Sequence, residues 1–322
     1  MKRITSIDYT KEFAIILVVI GHIIDSCTLK TYIYSFHMPI FFIVSGILLN
    51  YKNIDNYSIL NKLKKLIVPY IIFSVIYTIA NQVANGISLH NIKWDIINIL
   101  CLKGVGPLWF LPCLFLSEVL FILLNKLIKN RKLLILVTLF IFILAVLLPD
   151  INYFEIVFLK AFIGYSFLSI GYFTFKLFNR KEIPTVIIPI LLIIGAICTY
   201  LNIPVDLNHM KLGNPILYLI AATSTSFAFI LIAKKIPEYP YIGFWGRNSL
   251  LVMSLHLDII LLLNNSIIHD IIKTKSIYHI MVFFITMVSN YLLIKIINKY
   301  IPFAAGKFNT VKSKRKSFGV FY

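Results

Sequence analysis

Apolar residues in this chain run in blocks too long for the core helices of a soluble domain and lack the alternation of half-buried strands. About ten of these blocks approach the roughly 20 residues that a membrane-crossing helix needs. They fall at 12–29, 32–50, 66–85, 108–128 and 133–149, then at 154–176, 184–201, 214–233, 249–268 and 278–298. The fifth is short, and the eighth carries the polar cluster Thr223-Ser224-Thr225-Ser226. Between the third and fourth blocks, the segment from Trp94 to Leu100 is too short to span, so it lies in the interface or re-enters the membrane. The pattern predicts an all-α polytopic integral membrane protein of about ten transmembrane helices. One membrane domain covers 1–305, a basic tail covers 306–322, and no repeat of fixed period is present.

Charge orients this layout. Lysine and arginine collect in alternate loops: Lys62, Lys64 and Lys65; Lys129, Arg131 and Lys132; Lys176, Arg180 and Lys181; Lys234 and Lys235; and the tail with Lys312, Lys314, Arg315 and Lys316. The opposite loops are poor in bases and carry Asp95, Asp150, Glu155, Asp206 and Asp270. The positive-inside rule then puts both termini in the cytoplasm. The first run has a basic start and no small-residue cleavage site, so it is expected to stay as an anchor.

Composition agrees. Hydrophobic residues make up 59% of the 322 and charged residues 14%, and mean hydropathy is +0.88, which excludes a soluble domain of this size. The net charge of +18 is mostly this topological signal, with anionic membrane lipids as the expected partner and no nucleic acid. Cys27, Cys101, Cys113 and Cys198 have neither metal-ligand nor disulfide spacing and read as buried apolar residues. No metal is expected. The high Ile, Lys and Asn content suits a bacterial, AT-rich origin, hence a multi-pass protein of the plasma membrane.

Ionisable groups inside the runs are the strongest local signal, because each costs about 2.5–3.5 kcal/mol or more at the bilayer centre. They are His22, Asp25, His37, Glu118, Lys160, His256 and Asp258. Lys11 and His22 are eleven residues apart; on a helix that returns to nearly the same face after a rise of roughly 16 Å. Lys11 is then expected at the membrane surface and His22 near the bilayer centre. Asp25, at i+3 from His22, is placed to orient its ring, or else simply marks the outer end of the span. Glu118 is expected to pair with Lys160 or a histidine. His256 and Asp258 face different ways, and His256 is the one expected in a shared site. Each of these has a structural alternative: helix–helix hydrogen bonding or an ion path for His22, a hydrated structural role for His37, topological anchoring for Arg3 and Lys11, and close helix packing for Ser45-Gly46.

The stretch from Arg3 to Gly46 resembles the acyltransferase-3 family of membrane O-acyltransferases, in particular the branch that acetylates surface polysaccharides. The resemblance rests on Arg3, Asp8, Lys11 and Gly21-His22, on Phe36-His37-Met38-Pro39, and on Phe42-Ile43-Val44-Ser45-Gly46. Ile47 departs from it, since the family usually has an aromatic residue there. Weaker echoes occur in Pro107-Leu108-Trp109-Phe110-Leu111 and in Gly246-Arg247-Asn248-Ser249-Leu250 followed by His256. The resemblance implies acetyl-CoA as acyl donor, a glycan or lipid-linked sugar as acceptor, and polysaccharide-synthesis machinery as an expected partner.

Acyl transfer to a hydroxyl needs a base at the attacking oxygen and positive charge where the oxyanion forms. His22 is the expected base, Asp25 its orienting group, and His37 and His256 the further catalytic candidates. Arg3 and Lys11 are expected to hold the donor's phosphates, with Ser45 shaping the donor path. There is no P-loop, GxGxxG, GxSxG or HExxH, which removes nucleotide-motif, hydrolase and metalloprotease readings. An exporter of a polysaccharide or lipid-linked glycan is the competing function, and a scaffold for a polysaccharide synthase a third.

Overall fold

The computed structural model describes residues 4–52, 58–148, 156–178, 183–239, 241–264 and 274–308. Among them the chain is helical throughout, apart from connections and one isolated bridge between Asp206 and Lys211. The helices are α1 (Thr5–Ile23), α2 (Thr28–Phe36), α3 (Pro39–Lys52), α4 (Ile59–Asn85), α5 (Leu89–Leu100), α6 (Phe110–Leu127) and α7 (Arg131–Leu147). They continue with α8 (Ile156–Phe178), α9 (Ile187–Tyr200), α10 (Pro215–Lys235), α11 (Phe244–Arg247), α12 (Ser249–Asn264) and α13 (Lys275–Tyr300).

Every expected span overlaps a helix. Among the described residues six helical segments are long and apolar enough to cross a membrane: Thr28–Tyr51, α4, Gly106–Leu127, Val157–Lys176, α10 and α13. α9 and α12 are apolar but shorter, and α1 carries Asp8, Lys11 and Glu12 in its first half. Ile79 and Val83 on α4, Leu136 and Phe140 on α7, and Phe284 and Val288 on α13 are exposed. Such a surface is unfavourable in water and natural in hydrocarbon. The chain is an all-α polytopic membrane protein.

The second expected span is two helices. Pro39 has no N–H and its ring crowds the carbonyl four residues back, so the helix breaks at His37 and Met38 and restarts at Pro39. α3 then lies so close to α8 that a Cβ at Gly46 would collide with the Leu168 carbonyl, and one at Gly171 with the Ile43 carbonyl. This reciprocal contact of small residues is the close-approach device of membrane helices. The polar cluster on α10 also has a structural cause: Ser224, Thr225 and Ser226 are buried, with Thr225 against Gly195 of α9.

The segment after α4 returns alongside it. α5 packs on α4, and the Tyr70 hydroxyl donates toward the carbonyls of Asn98 (3.3 Å) and Ile99 (3.0 Å). Tyr70 is fifteen residues before the end of α4, which is roughly 22 Å along its axis. The turn Gly106–Trp109 therefore enters α6 from deep within the bundle. At the other end, Pro302–Ala305 folds over the start of α4. Lys307, in the stretch expected as tail, donates to Asn298 at 2.6 Å. The cysteines depart from expectation: only Cys113 is buried, Cys101 and Cys198 are half-buried, and Cys27 is exposed because it sits in the connection before α2.

The charge pattern and the fold together make a labelling prediction. In a background without native cysteines, His209→Cys should react with a membrane-impermeant maleimide from outside, and Ser58→Cys should not. Labelling of position 58 in preference to 209 would invert the topology.

Candidate active site

α1 starts seven residues before the first apolar run and ends six before its end. Its polar first turns are held by the α10–α12 connection. The Tyr9 hydroxyl accepts from the Tyr239 amide at 2.8 Å, and Glu12 accepts from the amides of Trp245 (3.2 Å) and Gly246 (3.5 Å). Gly246 sits against the Asp8 carbonyl where no Cβ would fit. The far end stops at Ile23 because Ile24 is extended and Asp25-Ser26 favour local turns over helix.

His22 therefore falls in the last turn of α1, not at mid-helix. Its ring centre is 5.1 Å from His256 and 6.0 Å from Tyr34, and Tyr34 is 4.7 Å from His37. His22, Tyr34, His37, Trp109, Asn208 and Met253 face a cavity of about 220 Å³. Three histidines from three expected spans thus meet at one place.

Two of them have a defined orientation. His37 Nδ1 is 2.9 Å from the Ile33 carbonyl, and His256 Nδ1 is 2.9 Å from the Val252 carbonyl. A carbonyl oxygen only accepts, so Nδ1–H donates in both rings and Nε2 keeps the lone pair of the neutral tautomer. His256 Nε2 is buried without a hydrogen-bond partner. A buried unpaired nitrogen normally costs about 1–3 kcal/mol, which marks this atom as one held for a purpose beyond packing.

The cavity is closed on one side by the connection between α9 and α10. Asp206 accepts from the amides of Asn208 (2.9 Å) and His209 (3.3 Å), and its other oxygen is 2.8 Å from His209 Nδ1. The paired amides of Asp206 and Lys211 complete a tight turn, with Leu207 buried beneath it. Lys160 fixes the turn to α8: its ammonium donates to Asn208 at 2.8 Å and lies 5.0 Å over the Trp109 ring. The connection looked like an ordinary acidic loop in the sequence. Its signal was the Asp206-x-Asn208-His209 cluster, a run of side-chain donors and acceptors amid apolar neighbours.

A second cavity of about 140 Å³ lies at the other end of the same walls. Lys11, Phe41, Ser45, Phe110, Ser249 and Met253 line it. Lys11 is paired with Asp8 at 3.5 Å. The expected donor residues Lys11 and Ser45 therefore share one space, and the Lys11–His22 stripe runs from this cavity to the histidines. Arg3 lies outside the described residues.

Two expected pairings are corrected. Asp25 is past the end of α1 and exposed, with Lys275 at 3.5 Å and His279 at 3.9 Å; it does not orient His22. Glu118 pairs with neither Lys160 nor a histidine; Lys62 reaches it at 2.6 Å from the first turn of α4. Asp258 is buried with neither carboxylate oxygen hydrogen-bonded; His256 packs its ring against His22, and Met253 and Leu257 are the α12 residues that line the cavity. Glu12 escaped notice in the sequence because it stands at the first position of an apolar run, where a carboxylate looks like a flanking charge.

Compared with known proteins, residues 4–295 match a family model described as an acyltransferase domain. A search of curated proteins and one of solved structures returned no match.

The Lys62–Glu118 pair is asymmetric, since the side chain of Glu118 is 1% exposed and that of Lys62 26%. Lys62→Met removes the ammonium 2.6 Å from a buried carboxylate and should cost about 3–5 kcal/mol. Glu118→Gln leaves an ammonium that can reach water, at about 1–3 kcal/mol. Thermal unfolding of both variants in detergent should rank Lys62→Met as the less stable; the reverse order would refute the asymmetry.

Proposed function

The chain belongs to the acyltransferase-3 family and is a membrane acyltransferase, and on that premise we propose that it moves an acetyl group from acetyl-CoA to a hydroxyl of a cell-surface polysaccharide or lipid-linked sugar. One observation carries the reading: Lys11 and His22 are on a single helix roughly 16 Å apart, and each opens into its own end of one line of cavities. The space beside Lys11 has room for roughly five waters, so it admits a narrow arm and keeps a nucleotide outside. Acyl-CoA has that shape, with its phosphates on a bulky head and its thioester at the end of a thin chain. Lys11 and Arg3 meet the phosphates at the cytoplasmic mouth, Ser45 flanks the arm, and the thioester arrives near His22. The setting is the plasma membrane of a bacterium, with anionic lipids around the basic loops and polysaccharide-synthesis machinery as the source of acceptor.

The chemistry follows from the cavity. The acceptor hydroxyl attacks the thioester carbonyl, a C–O bond forms, and the C–S bond breaks. His22 takes the hydroxyl proton as general base and returns it to the departing thiolate. His256, with Nδ1–H tied to Val252 and its ring centre 5.1 Å from that of His22, takes by packing the orienting part expected of Asp25. Tyr34 faces the same space, and its hydroxyl supplies a donor for the developing oxyanion, while His37 Nε2, an acceptor in this tautomer, takes a hydrogen bond from the acceptor sugar.

The test is acetyl transfer and CoA release measured in membranes with protein abundance followed in parallel. His22→Gln should lose 10²–10⁴-fold in rate while still inserting. Asp25→Asn should stay within about threefold of wild type, because exposed ion pairs contribute little. Lys11→Glu should raise the donor KM, and Lys11→Arg should preserve it. Near-normal turnover by well-inserted His22→Gln would overturn the mechanism, and no thioester consumption by wild type would favour the exporter.

A further inference from the structure

The two cavities are built from the same four walls. Along α1 the wall passes from Lys11 through Val18 to His22, and along α12 from Leu250 through Met253 to Leu257. The second span and the entry to α6 run the other way, with His37 and Met38 on the histidine cavity leading to Phe41 and Ser45 of α3 on the Lys11 cavity, and the turn Gly106–Trp109 leading to Phe110 of α6. Among the described residues Met253 alone lines both spaces, and it is 3% exposed. Phe41 and Phe110, with ring centres 5.8 Å apart, narrow the inner cavity next to it.

We infer that Met253 is the constriction between the donor cavity and the histidine cavity, and that its side chain sets which acyl groups are transferred. The inference rests on the acyl-transfer reading above. A thioester entering from the Lys11 end must lead with its acyl group past Met253 before its carbonyl can reach His22. Methionine suits this position: it is unbranched, has three rotatable bonds and a polarisable sulfur, and swings aside without a polar group to satisfy. It passes an acyl group as slender as acetyl and resists one that is branched next to the carbonyl. Aromatic neighbours on the inner side restrict how far the thioether can move, so its size is felt by the passing group.

The experiment offers acetyl-CoA and isobutyryl-CoA in competition to membranes holding the full chain, and reads the acyl groups on the acceptor by mass spectrometry. Shortening the side chain in Met253→Ala should raise the isobutyryl-to-acetyl ratio about 10-fold or more, the scale on which apolar pockets discriminate small groups. Met253→Phe should act in the opposite sense, lowering kcat for acetyl about 10-fold with a smaller change in donor KM. Should Met253→Ala fail to accumulate, Met253→Val reads the same ratio in the same direction. Wild-type membranes that acetylate in a His22-dependent way, with an unchanged ratio in the shortened variants, would overturn the constriction alone. Wild-type membranes that transfer neither group would overturn the acyl-transfer reading with it.

Discussion

A polar group taken into hydrocarbon must find a partner or face an aqueous cavity, and the arrangement of this protein follows from that constraint. Each embedded ionisable side chain among the described residues is resolved in one of these ways or left at a conspicuous place. Glu118 draws Lys62 inward, and Lys160 is satisfied by Asn208 and the face of Trp109. His37 and His256 hand their Nδ1 protons to carbonyls of their own helices and keep their remaining nitrogens for the centre. Among the described residues the exceptions include His256 Nε2, one oxygen of Asp95 and both oxygens of Asp258. Among the described residues α12 carries three such atoms, all on ionisable side chains, which is where a functional element is expected.

The backbone supports this by two interruptions. Pro39 breaks the second span at His37, so that a histidine meant for the site is not carried around the helix by continued regular turns. The return of α5 along α4 brings Gly106–Trp109 into the bundle beside the histidines. Neither device contributes a reacting group. Both place one, and the reciprocal glycine contact between α3 and α8 keeps the first of them rigid.

Much of this was legible in the sequence because hydropathy and helical register are local properties. Lys11 and His22 share a stripe at any depth, so their relation survived although the helix bounds shifted by several residues. His256 was recognisable for the same reason, as the one of two neighbours expected to face inward. What the sequence could not reveal was closure between distant segments. Asp25 looked like His22's partner because i+3 is a valid spacing only while the helix lasts, and α1 ends at Ile23. Glu118 looked available to Lys160, yet a lysine read as a loop charge reaches it first. The turn around Asp206 was invisible as a wall because nothing in its own residues says what lies beneath.

Separate cavities at the two ends of one helix divide the work in a way that a single pocket would not. The inner one carries a cation and small polar side chains against aromatic rings, suited to gripping a charged head while a thin arm enters. The outer one is lined by imidazole, phenol and amide groups together with the carboxylate of Asp206, which exchange protons and hydrogen bonds. Neutral imidazoles lower the cost of keeping a base at this depth, since the charged form arises only while a proton is in transit. In the proposed mechanism the distance along α1 lets one helix hold a cation at one end and a titratable base at the other.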